Sequence, residues 1–256
     1  MNEIATPQPV PTRVKFVFWI LLGGLSTVMA EVIASSSPFP FFTFWGIVAV
    51  IPLYSLHVLV LSFVAFRARR VTIPILFLAG AVFGMYEAYL TKVVWSPTWG
   101  DFNFQFGGIY LIQTILLVLF WHPFMAFILP VFLAENLFTD SSETFAALPP
   151  KIQERLRDKS TWTWTVAAFA VYFAIYKSFG ATDWTTTFLS GLSNIIILFG
   201  LGYLWKRVKG NRDLTFRDVL PSKKEAIVLG FFLLLGYIVE GLWLRPEALP
   251  RTLVRI

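Results

Sequence analysis

Cysteine is absent from this chain and histidine occurs only twice, as His57 and His122. The first absence excludes disulfides, iron–sulfur clusters, thiolate zinc sites and cysteine nucleophiles; the second excludes metal sites built on several histidines. No metal site is expected. Charge is also scarce, because Asp, Glu, Lys and Arg make up 14% of the residues against about 25% in soluble domains. What remains is apolar: hydrophobic residues reach 57% and the mean hydropathy is +0.69. With 27 Phe and 10 Trp, the composition suits a lipid-facing surface with tryptophan at its interfaces. These features predict an all-α integral membrane protein, one polytopic domain over residues 1–256, in a prokaryotic cell membrane. The net charge of +6 does not call for nucleic acid. The cations fall in short loops between apolar runs, where they set topology and attract anionic headgroups.

A membrane helix needs about 20 apolar residues. Such runs occupy 14–34, 42–66, 72–94, 108–135, 161–179, 185–205 and 225–244, which predicts a seven-transmembrane-helix bundle. Arg13 and Lys15 precede the first run; Arg67, Arg69 and Arg70 follow the second. Lys151, Arg155, Arg157 and Lys159 follow the fourth, and seven cations from Lys206 to Lys224 separate the last two. Seven crossings put all these segments on one side, which the positive-inside rule makes cytoplasmic. The N-terminus is then cytoplasmic and the C-terminus outside, although Arg245, Arg251 and Arg255 in the tail run weakly against this. Residues 108–138 contain Pro123 and Pro130 and are long for one upright crossing. A kinked, tilted helix keeps the basic loop 139–160 cytoplasmic. In that loop a short amphipathic helix is expected after Pro149–Pro150. The first run, despite small residues near Val32 and Ala34, is read as a retained anchor rather than a cleaved signal.

Three glutamates interrupt the apolar runs. Each costs about 2.5–3.5 kcal/mol at mid-membrane on insertion scales, and each lies on a face of small residues. Glu31 shares a face with Gly24, Thr27 and Ser35; Glu87 and Thr91 continue the GxxxG pattern of Gly80 and Gly84; Glu240 follows Gly236. Small residues at this spacing let another helix approach closely. At 1.5 Å per residue the three carboxylates lie roughly 22–25 Å from the cytoplasmic ends of their helices. Lys177 falls at a similar level and Lys92 slightly further out. The expectation is an outward-facing polar cavity in which Glu31, Glu87, Glu240, Lys92 and Lys177 bind a small polar solute or a lipid headgroup. It requires the first, third and seventh helices to be mutual neighbours. The competing reading is a set of ion pairs, such as Glu87 with Lys177, that lock the bundle.

His57 and His122 fall at matching depth, roughly 21–22 Å along their helices, and are assigned to proton coupling on the cytoplasmic half. Matching depth is also how paired imidazoles hold a haem; otherwise no cofactor is expected. The plainer alternative has each histidine bonding a backbone carbonyl or a tyrosine hydroxyl. Pro123 should leave the Leu119 carbonyl without its helical donor. Gln113, Ser190, Ser193 and Asn194 add neutral polar groups near the midplane, and Glu135–Asn136 is solvated or acts at a helix end.

Enzyme templates fit poorly. Ser190, Gly191 and Ser193 have no histidine after them. The segment from Glu87 to Lys92 resembles the EExxxR signature of glutamic intramembrane proteases over six residues, but carries Ala88 and Lys92 at its defining positions. The last run has no lysine for a Schiff base, so the seven-span pattern does not extend to the heliorhodopsins. The sequence therefore favours a transporter or binding protein for a polar solute or headgroup. The alternatives are an intramembrane enzyme with a glutamate base acting on a lipid or lipid-linked substrate, and a non-catalytic subunit with a protein partner or a second copy.

Overall fold

The computed structural model describes residues 10–91, 93–96, 104–157 and 183–243. The apolar run 161–179 and the side chains of Lys92 and Lys177 lie outside these described residues. In chain order the helices are α1 (Thr12–Val32), α2 (Gly46–Ala65), α3 (Ile73–Leu90), α4 (Leu111–Phe138), α5 (Glu143–Ala146), α6 (Pro150–Arg157), α7 (Trp184–Lys209), α8 (Phe216–Val219) and α9 (Lys223–Trp243). Six of them, α1 to α4 with α7 and α9, are long and apolar enough to cross a membrane. The architecture is an all-α multi-pass bundle.

A small hairpin precedes α4. Strands β1 (Gln105–Phe106) and β2 (Ile109–Tyr110) pair antiparallel, Gln105 opposite Tyr110. The turn between them is Gly107–Gly108, with φ of +59° and +78°, the left-handed conformation that two-residue hairpin turns require. This is why α4 begins at Leu111 rather than at 108. From there it runs unbroken to Phe138, with π-helical pairing over Ile115–Ile128. In that register the acceptor deprived by Pro123 is the Val118 carbonyl, five residues back, and not that of Leu119.

α1 is the central helix, packing on α2, α4 and α7, with Val14, Phe18, Leu21 and Leu22 fully buried. Lipid is as apolar as these side chains, so close van der Waals fit rather than water exclusion holds the helices together. A close backbone approach joins α3 and α4, where Gly80 and Gly84 face the backbone at Pro123 and Leu117–Val118. By contrast α7 and α9 present large apolar side chains outward, such as Phe188, Phe199, Phe231 and Leu242, the composition of a lipid-facing surface.

The beginnings of α1 and α9 and the ends of α2, α4 and α7 meet at one end of the bundle, the basic end, where a polar latch joins them. Glu135 is fully buried there; of the two expectations for it, solvation is not met and action at a helix end is, the helix being α5. Its carboxylate accepts from the amides of Glu143 at 2.7 Å and Thr144 at 2.8 Å, and from the hydroxyls of Ser141 and Thr144. This caps α5. From α5, Glu143 grips Arg217 of α8 in a two-pronged pair at 2.6 and 2.7 Å, and Arg217 in turn reaches the carbonyls of Phe66 and Ala68 at the end of α2. Lys15 pairs with Glu225, and Phe216 of α8 buries its ring against Phe18 and Phe66.

Asp140 adds a more exposed link, accepting from Lys209 at 2.5 Å and from the Leu214 amide at 2.8 Å. The Lys209 hydrogen bond, then that amide, hold its pKa below the usual carboxylate range. A depressed folded-state pKa gives stability that is present above the unfolded value and lost as pH falls through the folded one. The pair is exposed and screened, so its worth is below about 1 kcal/mol. Thermal unfolding of Asp140→Asn against the native protein should show a small deficit, undiminished down to about pH 5 and fading below about pH 4. A deficit that grew on acidification would contradict this assignment.

Candidate functional site

At the opposite end of the bundle, local backbone geometry aims two of the glutamates at one space. α1 closes with a π-helical turn, Val28–Val32, and Ser35 then adopts φ +64°, a left-handed stop to the helix. The reversal brings the amides of Ser36 and Ser37 to the Glu31 carbonyl at 3.1 and 3.3 Å, and the Ser36 hydroxyl to the Glu31 carboxylate. α3 also closes with a π-helical turn, Tyr86–Leu90, which carries Glu87. Such turns shift side chains off the α-helical register and recur at functional sites. Between these ends lies a cavity of about 440 Å³ lined by Glu31, Glu87, Tyr54, His122, Ser35, Ser36 and apolar side chains of α4, chiefly Leu116, Phe120 and Trp121. The Trp121 indole N–H, bonded to the Ala30 carbonyl at 3.1 Å, fixes α4 to α1 at the rim.

Proton positions around the cavity follow from what each group can donate. The Leu117 carbonyl only accepts, so His122 Nδ1, 3.1 Å away, carries a hydrogen. A neutral His122 then has Nε2 as an acceptor, facing the Tyr54 hydroxyl at 3.3 Å. Tyr54 has one hydrogen, yet it also contacts the Glu31 carboxyl. Satisfying both contacts takes one further proton, held either by Glu31 as a carboxylic acid or by His122 as an imidazolium. Glu31, Tyr54 and His122 are thus one hydrogen-bonded chain. Glu87 differs: among the described residues, no donor hydrogen-bonds to its carboxyl, although it interacts electrostatically with both Glu31 and Glu240.

Glu240 sits behind this cavity rather than in its lining. It is buried and accepts from the Tyr86 hydroxyl. The expectation that the first, third and last helices are mutual neighbours is met only in part. α9 packs on α2 and on the π-helical turn of α3, whereas no extensive packing of α1 on α3 or α9 is seen among the described residues. Tyr54 of α2 reaches Glu31 and Tyr86 of α3 reaches Glu240, so it is tyrosine side chains rather than packing of α1 on α3 or α9 that meet these two carboxylates.

The histidines lie next to this layer, not in a separate half of the bundle. His57 bonds the Leu53 carbonyl and the Tyr237 hydroxyl, both at 2.7 Å, so both its nitrogens are engaged, as are those of His122. The Phe83 ring stacks on His57 at 4.3 Å between centroids and lies 5.4 Å from His122. All four ring nitrogens already have partners within the protein, so the residues present do not fit a haem. Ser190 and Asn194 do not join the cavity either. Both donate to the Pro38 carbonyl, at 2.7 and 2.9 Å, pinning α7 to the loop after α1. Gln113 is fully buried with neither amide atom bonded, and it is not among the lining residues.

Sequence reasoning did not single out Tyr54, Tyr86 or Tyr237. A signal existed: Tyr54 and His57 are three apart, as are Tyr237 and Glu240, and residues three apart share a helix face.

Six long apolar helices among the described residues, with buried carboxylates and a lipid-facing flank, define a polytopic α-helical membrane protein. The chain belongs to a family described as an uncharacterized membrane protein family, whose sequence pattern matches residues 20–256. It is also similar to a protein of Archaeoglobus fulgidus described as an uncharacterized protein, 54% identical over 128 residues, which is 50% of this chain and 41% of that protein's length. No solved structure matches. The protein is an integral membrane protein in contact with lipid.

Proposed function

We propose that the protein binds a small polar solute or a lipid headgroup at the cavity between Glu31 and Glu87 and carries it through or within the membrane. One observation carries this reading: a cavity of about 440 Å³ has two carboxylates in its wall, and among the described residues none of the three intramembrane glutamates makes an ion pair. Carboxylates in an apolar bundle are costly, and a cationic or donor-rich ligand offsets that cost. Leu116 and Phe120 both line the cavity and are exposed on the lipid-facing side of α4, which favours a headgroup whose chains remain in the bilayer. Loss or gain of the proton shared by Glu31, Tyr54 and His122 changes the cavity's charge, so His122 rather than His57 is the proposed coupling residue. Lys92 and Lys177 remain proposed counter-charges, with Glu240 a carboxylate behind Tyr86.

The chain, on this reading, crosses the membrane seven times. In support, α4 ends at the basic end, whereas the first half of α7 is pinned to Pro38 at the cavity end; the apolar run 161–179 is the proposed crossing between them. With the basic end cytoplasmic, the cavity opens outward and the latch closes the cytoplasmic side.

The enzyme reading has one observation in its favour. Glu87, whose carboxylate has no hydrogen-bond donor among the described residues, lines a lipid-accessible cavity and is placed to act as a general base.

Ethanolamine, a small cation with a hydroxyl, serves as the probe for binding. It should raise the thermal midpoint of the purified protein, and Glu87→Gln should weaken its apparent affinity about tenfold, the worth of one charge-assisted hydrogen bond. An ethanolamine response unchanged in both Glu31→Gln and Glu87→Gln sinks the proposal.

A further inference from the structure

We infer that the groove between the end of α2 and the start of α9, at the basic end, is a binding site for one anionic phospholipid. The groove encloses about 370 Å³ and is lined by Val60, Phe63, Val64 and Ile227 along its apolar length, with Arg67 and Lys223 at its polar end. That division matches a phospholipid: acyl chain along the apolar part, phosphate between the two cations. Val60 and Arg67 are seven residues apart on α2 and its continuation, so the apolar strip runs roughly 10 Å into the bilayer from the level of the charges. Val64 and Ile227 are 59% and 64% exposed, which leaves the strip open to a chain from the surrounding lipid.

The charges are available and positioned. The Arg67 guanidinium lies over the Phe63 ring at 4.6 Å, a cation–π contact that orients it at the groove mouth. Among the described residues, neither Arg67 nor Lys223 makes an ion pair. The acidic residue on the first turn of α9, Glu225, is committed to Lys15 and to the Ser222 amide at 2.6 Å and does not neutralise Lys223. No acidic side chain among the described residues lines the groove. Arg69, Arg70 and Lys224, close in sequence to the two lining cations, are exposed, and positive charge at this end favours an anion over a zwitterion.

The test is native mass spectrometry of the full chain released from micelles containing either phosphatidylglycerol or phosphatidylcholine. The native protein should retain one phosphatidylglycerol in preference to phosphatidylcholine. Arg67→Gln with Lys223→Gln should lower that apparent affinity roughly thirtyfold, from about 1 kcal/mol per cation, while Lys206→Gln with Arg207→Gln, an exposed pair at the same end but outside the groove, should not. Val64→Trp, which fills the apolar part and keeps both cations, should lower it as well. Equal retention in the native protein and the Arg67/Lys223 variant overturns the site. So does an equal loss in the Lys206/Arg207 variant, which means diffuse surface charge. Displacement by inorganic phosphate alone, with Val64→Trp unaffected, means a free-anion site and also overturns it.

Discussion

Glu135→Ala is expected to destabilise the protein by about 3 kcal/mol or more, the largest single effect of any polar substitution here. The estimate follows from what the carboxylate satisfies. It accepts from two backbone amides, those of Glu143 and Thr144, and from two hydroxyls, and it is completely buried. Leaving a buried donor unpaired costs about 1–3 kcal/mol each, and the amides have no alternative acceptor on α5, being the orphan donors of its first turn. The damage spreads along the latch, because Glu143 on α5 holds Arg217, and Arg217 holds the end of α2. Glu135→Gln keeps the shape and one accepting oxygen but turns an NH₂ toward donors, so an intermediate loss is expected. Denaturant titration in detergent measures both, and proteolysis within 139–146 reports whether the latch has opened. Native-like midpoints for both variants, with no new cleavage, would show that the carboxylate is dispensable.

Gly80→Ala should produce a comparable loss for a different reason. A Cβ at position 80 would sit 2.4 Å from the Pro123 Cα and 3.0 Å from its carbonyl oxygen. Neither atom belongs to a side chain that can rotate away, so α4 as a whole must move. Overpacking a tight site costs about 1–3 kcal/mol, occasionally more, and lipid supplies no hydrophobic force to press the helices back together. His122 adjoins Pro123, so displacement of α4 also draws its Nε2 away from Tyr54, beyond the present 3.3 Å. Both stability and the ethanolamine response should therefore fall together. Gly230→Ala is the matched control: nothing lies within 4 Å of that Cβ, and the gain in helix propensity makes the change neutral or mildly stabilising. Equal stability of the two variants would refute the close α3–α4 packing.

The two predictions mark how far a one-dimensional reading reaches. The GxxxG pattern of Gly80 and Gly84 is legible because small residues four apart share one helix face, and the structure supplies the partner, the backbone of α4 at Pro123. Glu135 was legible only as a charge near a helix end. Its partners follow six to nine residues later in a loop, and Arg217 lies 74 residues beyond Glu143, a separation at which periodicity says nothing. The tyrosines were hidden for a related reason. A phenol on an apolar run reads as one more aromatic until the carboxylate or imidazole it faces, on another helix, is known.

Composition and hydropathy by themselves determined that this is a multi-pass helical membrane protein, because lipid forces every backbone polar group into helices and makes each span a long apolar run. They also marked the three costly glutamates and the cationic end. Only the tertiary structure decided which of those glutamates share a cavity, since the π-helical turns that close α1 and α3 place Glu31 and Glu87 in one wall and leave Glu240 behind Tyr86. It likewise decided that both histidines pack against Phe83 and that the basic end is latched by a buried carboxylate. These outcomes depend on the rotation and spacing of helices about one another, set by side-chain contacts between residues far apart in the chain.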